Sequence, residues 1–203
     1  MKHKTPYYTE LEDHSDIISD SHYDLFFNNG QNERHENNTL RVLSLFSGCG
    51  GMDIGLEGGF SCHRNSVTNE DWVDRKINED WVLLHRNAFR TVFACDILEE
   101  ARLTWLRYMS RYKINPDIYH LNSIVDLVKM HKDGYNVFPN NIDVVTGGFP
   151  CQDFSVAGKR KGFDSSISHD GKQRNDNEAS EETRGKLYMW MKQVIDIVQP
   201  KMF

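Results

Sequence analysis

The sequence predicts an α/β fold: a mostly parallel sheet with helices on both faces. Short apolar runs (RVLSLF, TVFACDI, NIDVVTGG) alternate with stretches whose apolar residues recur every three or four positions. Strands that alternate with helices in this way close a parallel sheet, because each crossover lays its helix on one face. With 203 residues, 38% of them hydrophobic, the chain is long enough for one such domain.

Each element can be justified in order. Residues 1–38 are polar, rich in Asp, Asn, Glu and His, and lack periodicity; they are expected to be a disordered extension, with the domain occupying 39–203. Arg41 to Phe46 is a buried parallel strand, and GCGGMDIGLEGG is a glycine-rich turn opening into a short helix. Ser61 to Arg90 is polar and carries NEDWV twice, at Asn69 and Asn78; it reads as a surface insertion anchored by its two tryptophans. Thr91 to Ile97 is the second strand. Leu98, Ala101, Trp105, Met109 and Tyr112 then mark an amphipathic helix. A weaker strand near Asp117 to Leu121 precedes a helix through Ile124, Leu127 and Val128, and NIDVVTGG is the next strand. After a polar stretch from Ser165 to Glu182, the helix Lys186 to Val198 sets Leu187, Met191, Val194 and Val198 on one face. Pro200 to Phe203 read as the first residues of a further strand.

Composition narrows the classes of function. There is no apolar run of transmembrane length and no signal-peptide pattern, so the chain is expected to be soluble and cytoplasmic. Cys49, Cys62, Cys95 and Cys151 lie far apart with no CxxC pair, which argues against a metal site and a disulfide framework. The net charge of −6 weighs against a general nucleic-acid binder, although Lys159, Arg160 and Lys161 are a local exception.

Two places carry chemistry. A strand running into FSGCGG has the layout of a nucleotide-type cofactor site, where Gly48, Gly50 and Gly51 let the backbone turn and approach a ligand. The pattern is not GxGxxG and has no P-loop lysine, so triphosphate binding is unsupported. An acid at the end of the second strand should hold ribose hydroxyls, and Asp96 stands there, delayed by the insertion. The other place is GGFPCQDFSVAGKRKG. Cys151 lies just past the carboxyl end of a strand, where open α/β sheets bind ligands, and a thiol there can act as a nucleophile. The other three cysteines are expected to be small buried apolar residues.

LSLFSGCGGMDIGLEGGF followed by GGFPCQDFSVAGKRKG resembles the cytosine-C5 DNA methyltransferases of bacterial restriction–modification systems. The likeness runs from Leu40 to Phe203, with TRGKLY similar to a third block and QPKMF to the lead into a fourth. It implies a Rossmann-like S-adenosylmethionine-dependent methyltransferase fold, incomplete at its C-terminus. It also implies residue roles. Phe46, Gly48 and Gly50 would line the S-adenosylmethionine pocket, Asp96 would hold the ribose, and Ile97 would pack on the adenine. Ser123 stands where the family usually has an aspartate, Ser44 replaces an acid, and Pro150 and Leu187 would border the cofactor. Cys151 would add to cytosine C6, making C5 able to accept the methyl group before its proton is lost and the thiolate leaves. The target cytosine of double-stranded DNA would be flipped out of the helix. Gln152 and Ser155 would help to position it, and residues 155–182 would be the loop that closes on the DNA.

GFPCQ separates the chain from tRNA-directed relatives, which typically carry a second proline where this one has Phe149. An ENV tripeptide, whose glutamate assists at cytosine N3, and a target-recognition domain are expected from a second, complementary chain. The isolated chain is then expected to be poorly soluble. An inactive remnant with at most cofactor binding, and a DNA- or partner-binding module, are the alternative readings.

Overall fold

A computed structural model describes residues 39–150, 163, 166–172, 180 and 182–203. The extension 1–38 and three site residues, Cys151, Gln152 and Ser155, lie outside the described residues, as does most of the polar stretch before Glu182. The described strands are β1 (Leu40–Leu45), β2 (Ser61–His63), β3 (Val73–Lys76), β4 (Trp81–Leu84), β5 (Phe89–Asp96), β6 (Tyr119–Leu121) and β7 (Val144–Gly147). The helices are α1 (Gly51–Glu57), α2 (Glu99–Met109), α3 (Ile124–Lys132) and α4 (Leu187–Val198).

The main sheet has the order β6-β5-β1-β7, and every neighbouring pair is parallel. Its central strands are buried on both faces, which is why they are nearly continuous apolar runs. Leu43 and Leu45 of β1, Phe93 and Cys95 of β5 and Val145 of β7 pack against α3 and α4. Ala94 of β5 lies on the opposite face, in a cluster with Trp105 and Met109 of α2. Helices therefore cover both faces, as expected.

Local chemistry sets the helices. Ser123 caps α3, its Oγ accepting from the Val125 N–H at 3.2 Å, and Ile124, Leu127 and Val128 form the buried stripe behind it. Leu187, Trp190 and Val194 are the buried positions of α4. The sheet also continues past β7. Met202 bridges Val144 in parallel, with the Val145 N–H donating to the Met202 carbonyl at 3.0 Å. This agrees with a strand expected to begin at Pro200 to Phe203.

The insertion differs from its expectation. Residues of the polar segment form a three-stranded antiparallel sheet of order β2-β4-β3, and β5 begins at Phe89 rather than Thr91. Its tryptophans are not anchors: Trp72 and Trp81 are 54% and 41% exposed. Val82 and Leu83 of β4 fill the apolar role instead. The root of the insertion is held at α1. Glu57 is fully buried and accepts from Arg86 at 2.8 Å, from Arg90 at 2.9 Å and from the Thr91 N–H at 2.7 Å.

Candidate active site

The carboxyl ends of β1, β5, β6 and β7 carry the cofactor residues anticipated from sequence, apart from Leu187. After β1 the backbone turns through left-handed conformations at Phe46 (φ 54°), Gly48 (φ 52°) and Gly50 (φ 85°). Such angles are strained for residues with a Cβ, which is why glycine recurs here. The two glycines differ in surroundings. A Cβ on Gly48 would meet nothing within 4 Å, so that glycine faces open space. A Cβ on Gly50 would stand 2.6 Å from Cδ1 of Trp105, so that glycine is pressed onto the core. The Gly50 N–H closes the turn onto the Ser47 carbonyl at 2.9 Å, and α1 starts at the next residue.

Asp96, at the end of β5, is tied directly to this turn. Its Oδ2 accepts from the Gly48 N–H at 3.0 Å, joining residues 48 positions apart. Oδ1 accepts from the N–H groups of Ile97 at 2.7 Å and Leu98 at 3.1 Å. The carboxylate is thus oriented by three backbone donors, and Oδ2 keeps acceptor capacity for a ligand hydroxyl. Ile97 is 40% exposed beside it, and Phe46 packs against the core while only partly buried.

The remaining residues are spread along the same rim. Ser123 follows β6 and is buried, its hydroxyl already engaged as the cap of α3. Serine at this position therefore has a local structural reason. Pro150 follows β7 and is half-buried. Leu187 opens α4 and lies within the apolar core, 4% exposed. Among the cysteines expected to be buried, Cys95 is buried and its thiol is pushed up to about 12 by desolvation. Cys62 is half-buried. Cys49 is exposed, because the turn directs it away from the core that its neighbour Gly50 touches.

Sequence reasoning missed two acids. Asp53 and Glu57 are both fully buried, four residues apart on one face of α1. The i, i+4 spacing puts them together, and the other face of α1 offers the exposed Gly51, Met52 and Gly55. Acids on the inward face of a short helix at a glycine turn were the available signal.

A ligand with vicinal hydroxyls fits what is present: open space over Gly48, a carboxylate oxygen with spare acceptor capacity, and apolar side chains at Phe46 and Ile97. A family model described as C-5 cytosine-specific DNA methylase matches residues 40–203. The chain belongs to this C-5 cytosine-specific DNA methylase family.

Curated relatives agree. Type II methyltransferase M.BsuRI of Bacillus subtilis is 33% identical over 126 residues, covering 60% of this chain and 25% of the relative. Type II methyltransferase M.BspRI of Lysinibacillus sphaericus is 32% identical over 129 residues, 63% of this chain and 27% of the relative. Type II methyltransferase M.Eco47II of Escherichia coli is 30% identical over 165 residues, 81% of this chain and 26% of the relative. The chain thus spans about a quarter of the length of the curated relatives it matches. Among its described residues, no helix is long and apolar enough to cross a membrane.

Proposed function

We propose that this chain carries the S-adenosylmethionine site and the nucleophile of a cytosine-C5 DNA methyltransferase of restriction–modification type. The observation that carries the reading is the bond from the Gly48 N–H to Asp96 Oδ2, which joins the glycine turn and the acid at the carboxyl ends of adjacent parallel strands. Asp96 would receive the ribose hydroxyls, Gly48 would let the backbone approach, and Phe46 and Ile97 would flank the base. Gly50, Ser123, Pro150 and Leu187 would complete the wall. When bound, the cofactor supplies an electrophilic methyl group.

The substrate is double-stranded DNA with one cytosine flipped out. Cys151 follows Pro150 beyond β7 and would add as thiolate to cytosine C6. The added electron pair makes C5 the nucleophilic carbon; loss of the C5 proton after alkylation then expels the thiolate. Gln152 and Ser155 would hold the flipped nucleotide. The glutamate that assists at N3 and the target-recognition domain would come from a complementary polypeptide, and the reaction would take place in the cytoplasm.

The deciding measurement is transfer of labelled methyl from S-adenosylmethionine to unmethylated DNA, by the chain alone and with a polypeptide supplying those parts. Activity that needs the added polypeptide and disappears in Cys151→Ser is the expected result. Labelled DNA formed equally by Cys151→Ser would overturn the nucleophile assignment, and no transfer in either format would favour an inactive remnant.

A further inference from the structure

Beneath the glycine turn lies a buried polar arrangement that methyl transfer as described above does not use. Asp53 is fully buried in the first turn of α1, and its Oδ2 accepts a 2.6 Å hydrogen bond from Nε1–H of Trp105, which is itself fully buried. The other oxygen, Oδ1, is buried without a hydrogen-bond partner. Burial pushes the Asp53 carboxyl pKa up, while the Ser44 side chain and the Trp105 indole oppose that rise. Ser47 Oγ, which accepts from the Cys95 N–H at 3.1 Å, lies 3.0 Å from both the carbonyl and the hydroxyl of Ser44. Two polar links therefore lie side by side, one joining β5 and β1 through the turn, the other joining α1 to α2.

The same indole is the floor of the turn. Its Cδ1 occupies the space that a Gly50 side chain would need. Tyr119, whose ring lies 5.2 Å from that of Trp105, donates its hydroxyl to the Gly48 carbonyl at 3.3 Å. A buried indole N–H needs an acceptor, but a neutral amide would serve without the cost of burying a carboxylate. An acid here holds the ring by the stronger, charge-assisted hydrogen bond.

We propose that Asp53 is a positioning residue of the cofactor cradle: by fixing the Trp105 ring it holds Gly50 and, with Tyr119, Gly48 in the left-handed conformation that aims the turn at the ligand. This rests on the reading of the turn as the S-adenosylmethionine site. Asp53 touches neither the reacting atoms nor, on this geometry, the cofactor. Its effect passes through Trp105.

The test uses the full chain with Asp53→Ala, Asp53→Asn and, as a second route to the same contact, Trp105→Phe. Three readouts are taken: the Trp105 indole ¹H–¹⁵N resonance, amide exchange at Gly50 relative to Leu43 and Val145 in the strands, and affinity for S-adenosylhomocysteine by calorimetry. In Asp53→Ala and Trp105→Phe, Gly50 should exchange about tenfold faster while Leu43 and Val145 stay protected, and affinity should fall about tenfold, as expected for one lost charge-assisted hydrogen bond. Asp53→Asn should recover part of both and move the indole resonance, because its amide oxygen still accepts. A uniform rise in exchange across the sheet would make Asp53 merely structural and overturn the proposal, as would wild-type affinity in Asp53→Ala. Should the wild type bind no S-adenosylhomocysteine while Gly50 alone loosens in the variants, the cofactor reading falls and the hold on the turn stands.

Discussion

Gly48 and Gly50 sit two residues apart, share a left-handed backbone, and differ only in what lies beyond the missing Cβ. That difference separates stability from binding. Gly50→Ala adds both strain and a clash with the Trp105 ring, 2.6 Å away at Cδ1. It should cost about 2–4 kcal/mol in a urea titration, combining roughly 1–2 kcal/mol for the left-handed angle with overpacking of about 1–3 kcal/mol. Gly48→Ala adds the strain alone, about 1–2 kcal/mol, because open space receives the methyl. Its effect should appear instead in calorimetry with S-adenosylhomocysteine, as a loss of at least about tenfold where the ligand must approach the backbone. Equal stability losses would mean that the turn does not rest on Trp105, and unchanged binding by Gly48→Ala would place the ligand elsewhere. The turn and the acid bonded to it were legible in the sequence, because glycines and an aspartate that follow two apolar runs mark the carboxyl ends of parallel strands. Asp53 was not legible. An acid on a short helix reads as solvated until the indole that receives it is known, and Trp105 is 52 residues away.

At the scale of elements, the insertion shows what local sequence could not convey. β1, β5 and β7 were readable as strands because burial on both faces leaves continuous apolar runs. The inserted sheet has strands of three to four residues, too short for alternation to register, and its tryptophans suggested burial that the sheet does not provide. Beside the buried Val82 and Leu83, an ion-pair cluster secures the root of this element. Glu57 lies inside, fully buried, between Arg86 and Arg90, whose side chains are 31% and 35% exposed. Around it the Gly59 N–H donates to the His85 carbonyl and the Asn87 N–H to the Glu57 carbonyl, each at 2.9 Å. Burial raises the Glu57 pKa, while the Thr91 N–H and the Arg90 charge oppose that rise. Glu57→Ala leaves two guanidinium groups and the Thr91 N–H without their acceptor. It should cost about 3–5 kcal/mol, the range for breaking a buried ion pair from one side. Limited proteolysis would show where: cleavage between residues 61 and 84 should accelerate before any site in β1 or β5 is cut. Glu57→Gln, which retains an acceptor for Thr91, should fall between. Simultaneous cutting of insertion and sheet would show that Glu57 holds the core rather than the root.

At the opposite end of the sheet from the glycine turn stands Asp143, which precedes β7. Its Oδ2 accepts from the Arg41 N–H in β1 at 2.8 Å, and its Oδ1 pairs with Lys201 Nζ at 2.7 Å. The backbone N–H groups of Lys201 and Met202 also converge on the Asp143 carbonyl, at 2.9 and 3.0 Å. One residue thus links β1, β7 and the segment that extends the sheet. The Arg41 N–H, followed by the hydrogen bond and charge of Lys201, holds the Asp143 carboxyl below its ordinary value of 3.8. A carboxyl whose pKa is lower folded than unfolded binds fewer protons in the native state, so its contribution is present above the unfolded value and lost as pH falls through the folded one. Asp143→Asn should therefore be less stable than the wild type at neutral pH, and the gap should narrow only below about pH 4. Lys201 is largely exposed, so most of the gap should survive in Lys201→Met and in high salt, since the Arg41 N–H is the larger cause and exposed pairs are weak and screened. Urea titrations of the three proteins at pH 7 and pH 3 provide the comparison. A gap that is constant across that range would show that Asp143 acts through shape alone, and one that vanishes in salt would show that Lys201 rather than β1 is its partner.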